Sequence, residues 1–320
     1  MSAASDTGLR PASTLAIALA LASVYILWGS TYLAIRFALE GYPPFTLAAI
    51  RMAIAGSIMY AVLRARGTAA PTKKQWITLA KLSIFMVVLS NALVNLAETQ
   101  VSSGLAAIAV ASMPLFAGVF AMLRGRHPSR MEWAGLVIGF FGVIWLSVGG
   151  ELAGSPLGLV CLIIAPLAWA WGSIWSRDQD LPEPFMAAAG QMLVGTVWLV
   201  IVALVAGERM TAMPSASATA ALLYLVVAGS IFGFTAYIWL LHHVRPALAT
   251  SYAYVNPPLA VLIGALIGGE VFTRTDLGAM AVILAGVVLI TLAKARAPAA
   301  AGPANPDRVA PREAADEPVA

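Results

Sequence analysis

What this chain has least of is charge. Asp, Glu, Lys and Arg make up 11% of its 320 residues, against about a quarter in an average soluble domain, so water is not its only solvent. The single cysteine, Cys161, sits inside an apolar run, which excludes a disulfide framework and a thiolate metal site. The three histidines, His127, His242 and His243, stand at the edges of apolar runs. No H-E-x-x-H pattern, paired carboxylates or Gly-rich loop before Lys-Ser/Thr accompanies them. Every Asp and Glu falls in a tail, a connection or at the end of an apolar run, with Glu98 the deepest. These absences argue against an enzyme, a resident metal or a cofactor. They also leave proton transfer through a midplane acid without support, while coupling through Glu98 or plain facilitation stays open. The pI of about 9.4 does not point to nucleic acid, because the basic residues lie in short connections rather than among clustered aromatics.

What is present is apolar. Hydrophobic residues reach 60% and the mean hydropathy is +0.86. Hydrocarbon about 30 Å thick needs about 20 apolar residues per crossing. Such runs fall at 15–36, 44–64, 76–97, 102–123, 131–149, 156–176, 184–206, 219–241, 246–268 and 276–294. The expected fold is therefore an all-α integral membrane protein of ten transmembrane helices, with the lipid bilayer as its first partner. The ends, 1–13 and 295–320, read as disordered tails. Ala20-Leu21-Ala22 after a short basic leader suggests a cleavable signal, but the apolar run continues to Ile35, too long for a signal core. Arg10, Arg64, Arg66, Lys73, Lys74, Lys81, Arg124, Arg126, Arg130, Arg177, Arg245, Lys294 and Arg296 all fall on one side if the N-terminus is cytoplasmic. Arg36, Arg209 and Arg274 fall on the other. The positive-inside rule places both termini in the cytoplasm.

The chain repeats itself. Trp28-Gly29-Ser30 recurs as Trp171-Gly172-Ser173 and Pro114 as Pro257, both at an offset of 143. Pro44-Phe45 recurs as Pro184-Phe185, and Arg51-Met52 as Gln191-Met192, at an offset of 140. The units are 14–150 and 151–294. Five helices each is an odd number, so the second unit enters the membrane upside down. Inverted repeats put a substrate site at their interface near the midplane and open it alternately to either side.

The stretches WGSTYLAIR (28–36), PPFTLAAIRMAIAG (43–56), SSGLAAIAVASMPLF (102–116), EWAGLVIGFFGV (132–143), PALATSYAYVNPPLAVLIGALIGGE (246–270) and ILAGVVLI (283–290) resemble the drug/metabolite transporter superfamily. Within it they resemble exporters with two EamA-type domains, in particular the YedA-like branch. The resemblance covers about 15–294. It implies ten helices, cytoplasmic termini in a bacterial inner membrane, and export of amino acids or other small metabolites. Many such proteins carry a glutamate after the fourth helix, where this chain has Arg124-Gly125-Arg126; Glu270 keeps it in the second half alone.

Several residues are candidates for a central cavity. Arg51 is the one arginine well inside a span, about 10–12 Å deep at 1.5 Å per residue. It either receives a substrate carboxylate or snorkels outward to Glu40 or Glu98. Asn91, Asn95 and Glu98 share a helical face, fit for cavity lining or for bonding between helices. Gln191, at the Arg51-equivalent position, carries the same two readings. Trp28, Thr31 and Tyr32 on the first span, Trp169 and Trp171 on the sixth, Tyr237 on the eighth, and Tyr252 with Asn256 on the ninth supply an aromatic wall. Such a wall suits neutral or aromatic amino acids, or amphipathic drugs. Pro114, Pro257 and Pro258 are hinge candidates or structural kinks, since each frees a carbonyl four residues earlier. A channel would need a continuous polar path, and a nucleotide-sugar or phosphate-ester carrier several midplane cations. The small-molecule substrate is thus left as the partner, with a monomer or a homodimer equally compatible.

Overall fold

The computed structural model describes residues 13–296 except 126, 149 and 245. The two tails read from the sequence lie almost wholly outside the described residues. The ten helices are α1 Thr14–Leu39, α2 Pro44–Ala65, α3 Lys73–Ala97, α4 Ser103–Leu123, α5 Arg130–Val148, α6 Pro156–Ser176, α7 Pro184–Val205, α8 Ala216–His243, α9 Tyr252–Leu266 and α10 Arg274–Arg296. Among the described residues nine of them are long and apolar enough to span a membrane, and α9 is shorter, preceded by the turn Pro246–Ala249. Helices are what apolar runs of about 20 residues form in a bilayer, because hydrocarbon offers no partner to an unpaired backbone group and barrel strands are about half as long.

The helix starts are written in the sequence. Ser13, Ser155 and Ser215 each accept from a backbone N–H three residues on. Thr72 and Gln75 make a reciprocal capping box at α3. Pro44, Pro156 and Pro184 occupy the first turn, where a missing N–H costs nothing.

Packing follows the inverted repeat. The equivalent helices α2 and α7 lie along one another, and so do α5 and α10. The first helix of each unit crosses to the other unit: α1 packs on α8 and α9, and α6 on α3 and α4. The α5–α10 contact is backbone on backbone. A Cβ on Gly286 would lie 2.6 Å from Gly135 O and from Gly139 Cα, so Gly135 and Gly139 form a small-residue packing seam. The pair Gly264 and Gly268 behaves differently: Gly264 leaves room for the Glu270 carboxylate, while Gly268 meets Leu33.

Two features lie outside a regular-helix reading. α3 and α8 each contain a π-helical stretch, Ile84–Ala92 and Leu225–Phe232. These positions are equivalent in the two units, and such stretches concentrate at functional sites. The prolines also differ in setting. α4 is interrupted at Ala111–Ser112, and Pro114 stands in the first turn of its second segment, Met113–Leu123. Pro257 and Pro258 stay inside α9, whose interruption comes earlier, at Thr250–Ser251.

Candidate functional site

At the centre lies a chamber of about 130 Å³ walled by α1, α2, α3, α4, α6, α8 and α9. It joins a vestibule of about 340 Å³ that reaches Leu181 and Pro182, in the connection between α6 and α7. Asn91, Trp169 and Phe234 line both, so the two volumes form one path open toward that end of the bundle.

The aromatic wall is built around Trp28. Its ring centroid lies 4.8 Å from Tyr252 and 5.2 Å from Tyr237, with Phe234 at 5.5 Å. Its indole N–H donates to Gly229 O at 3.0 Å, which leaves the ring face free for packing. One turn on, the Thr31 hydroxyl donates to Trp28 O at 2.7 Å, and Tyr32 lines the chamber beside it.

Arg51 supplies the charge. It is buried at 6% exposure and lines the chamber. Its Nε donates to Ser230 Oγ at 2.9 Å, the guanidinium's one hydrogen bond among the described residues. It forms no ion pair with Glu40 or Glu98, since the pairs among the described residues are Arg36–Glu270 and Arg124–Asp178. The guanidinium fits because position 229 is glycine: a Cβ there would stand 3.1 Å from Arg51 Nη2. Across the chamber Asn256 is buried, and its Oδ1 has no hydrogen-bond partner. The chamber thus offers a cation with free N–H groups, an unfilled acceptor and an aromatic wall.

The other candidates are spread more widely. Gln191 and Tyr237 line the vestibule rather than the chamber. Asn95 turns away and donates to Pro44 O at 3.2 Å, and Trp171 packs edge-on against Phe120. Ser230, Gly229 and Ser90 were not singled out from the sequence. Yet Ser90 and Ser230 repeat at the same offset of 140 as Arg51 and Gln191, a signal that was available.

The opposite end of the bundle is closed. Arg36 Nη1 meets Glu270 Oε1 at 2.9 Å, and the Glu270 carboxylate also accepts from Ser103 N at 2.8 Å and Gly104 N at 3.1 Å. Phe272 lies directly over Gly104, where a Cβ would meet its ring at 2.4 Å. Glu208 does the same for α2, accepting from Phe45 N at 2.9 Å and from Thr46 N and Oγ1 at 2.7 Å. Two carboxylates from the second unit thus cap helix N-termini of the first, where the helix dipole favours negative charge. Glu270 is a cap and latch, outside the chamber wall.

The sequence profile of the EamA-like transporter family matches residues 14–148 and 156–292. The inner membrane transporter YedA of Escherichia coli (strain K12) is 42% identical over 281 residues, which is 88% of this chain and 92% of that protein. The transporter YdfC of Bacillus subtilis (strain 168) is 27% identical, covering 82% of this chain and 86% of its own. A transporter of Archaeoglobus fulgidus is 26% identical over 75% of this chain and 84% of its own. A solved structure titled "Crystal structure of protein" shares the fold with a TM-score of 0.63 at 20% identity, covering 89% of this chain and all of that one. With two matched units, ten helices and a central chamber between inverted repeats, this chain belongs to the EamA-like transporter family.

Proposed function

We propose that this protein exports neutral or aromatic amino acids across the bacterial inner membrane by alternating access at the chamber between its two repeats. Arg51 carries the reading: a buried guanidinium facing a chamber, with no carboxylate at ion-pair distance among the described residues. Arginine at helix-centre depth costs about 2.5–3.5 kcal/mol on the insertion scale, and a substrate carboxylate offsets that cost with charge-assisted bonds. The unfilled Oδ1 of Asn256 suits the ammonium, and the wall around Trp28 suits an apolar side chain. On the charge reading, the vestibule at Leu181 and Pro182 faces the cytoplasm and the Arg36–Glu270 latch faces outward. The structure then corresponds to the loading state of an exporter.

A second reading, export of amphipathic drugs, draws on the same aromatic wall. Counterflow separates the two. Liposomes holding purified protein are preloaded with unlabelled amino acids, and labelled phenylalanine, threonine or methionine uptake is followed. Accelerated uptake supports the amino-acid reading. No exchange with any amino acid from folded protein overturns it and moves the test to lipophilic cations.

A further inference from the structure

One buried acid has no role in the site described so far. Glu98 follows the last residue of α3, is 5% exposed, and has no hydrogen-bond partner at either carboxyl oxygen. The chain from Glu98 to Ser103 leads into the start of α4, the same N–H groups that Glu270 caps. The charged and titratable groups acting on Glu98 are Glu270 and Arg36 of the latch, and Arg51 and Tyr32 of the chamber. Glu98 is therefore in electrostatic reach of both the closed end and the substrate site. A carboxylate in that setting would be a buried anion with no N–H or O–H donated to it, and proteins neutralise such groups rather than bury them bare. The neutral acid is the form that this packing accommodates.

We propose that Glu98 is the proton-binding site through which this transporter couples export to proton entry. This rests on reading the chamber as the transport route. When the Arg36–Glu270 latch parts, water reaches Glu98 and hydronium gives it a proton, forming the O–H bond and leaving water. The neutral acid permits the latch to close again. With the vestibule open, substrate entering the chamber brings water to the carboxyl, and the proton passes to that water, leaving the carboxylate near Arg51 and Arg36. One proton thus moves inward for each return of the empty carrier, and none is bound or released elsewhere in the step.

The test has two readouts. The first is the infrared carbonyl band of a protonated carboxyl in purified protein at about pH 7, above the ordinary range of glutamate, taken as wild type minus Glu98→Gln. A band present in the difference supports the proposal; its absence overturns it whatever the substrate is. The second is lumenal pH in liposomes while phenylalanine moves. Wild type is expected to move protons against phenylalanine, with that proton movement lost in Glu98→Gln, because the glutamine amide does not take up the proton. Glu98→Asp, which keeps the acid, retains coupling with a displaced pH profile. Phenylalanine counterflow with no proton movement in wild type overturns the coupling and leaves the amino-acid reading standing. The infrared band without any counterflow supports the proton site and sinks the amino-acid substrate alone.

Discussion

Replacing Arg51 by methionine separates function from stability more sharply than any other change in this protein. The guanidinium makes one protein hydrogen bond, to Ser230 Oγ at 2.9 Å, and no ion pair among the described residues. A neutral hydrogen bond contributes about 0.5–1.5 kcal/mol, less than the roughly 2.5–3.5 kcal/mol that arginine costs at membrane depth. Arg51→Met is therefore expected to leave the melting temperature unchanged or slightly raised. Substrate binding moves the other way. A bond between charged partners is worth about 1.5–3 kcal/mol, which at 1.4 kcal/mol per decade raises the KM for phenylalanine by about 10- to 150-fold. Counterflow kinetics with thermal unfolding in detergent gives both numbers from one preparation. A fall in melting temperature with an unchanged KM would refute the reasoning and return Arg51 to a structural role.

Three further outcomes follow from the geometry. Gly286→Val drives a side chain into Gly135 O and Gly139 Cα, backbone atoms that cannot yield; overpacking of this kind costs about 1–3 kcal/mol, read as a lowered melting temperature. Glu270→Gln weakens the ion pair to Arg36 and the caps on Ser103 and Gly104, and is expected to raise access to the chamber from the latch end, read by labelling. Ser230→Ala removes the hydroxyl that holds Arg51 Nε and is expected to raise KM by about three- to tenfold, the worth of one such bond, with less effect than Arg51→Met.

The ten helices were legible because each apolar run matches the hydrocarbon thickness and each start carries its own signal, such as Thr72 with Gln75. The repeat was legible because Trp-Gly-Ser and proline are infrequent enough to mark equivalence. Trp28, Tyr237 and Tyr252 were legible as wall candidates from their places inside apolar runs, and the structure sets their rings together. What failed was the face of α3. Asn91, Asn95 and Glu98 were expected on one side by the spacing of a regular helix. Asn91 instead falls within the π-helical stretch Ile84–Ala92, where the winding is wider and the rule does not carry across. Asn91 lines the chamber, Asn95 bonds to Pro44 O, and Glu98 is buried. No proline or glycine marks that stretch, which packs against α6. Pro114 was legible as a break, but its exact setting was not. The helix is interrupted at Ala111–Ser112, beside the Val110 carbonyl that Pro114 frees, and proline sits in the first turn of the second segment.

Alternating access through the chamber is tested most directly by a cysteine at Ser90, a chamber-wall position, labelled with a membrane-impermeant maleimide. The native Cys161 is buried and stays silent. In sealed vesicles of each orientation, Ser90→Cys is expected to label from the vestibule side and resist labelling from the latch side. Adding Glu270→Gln is expected to shift labelling toward the latch side. Equal labelling from both sides at once, with or without that change, would mean a continuous pore and contradict the account.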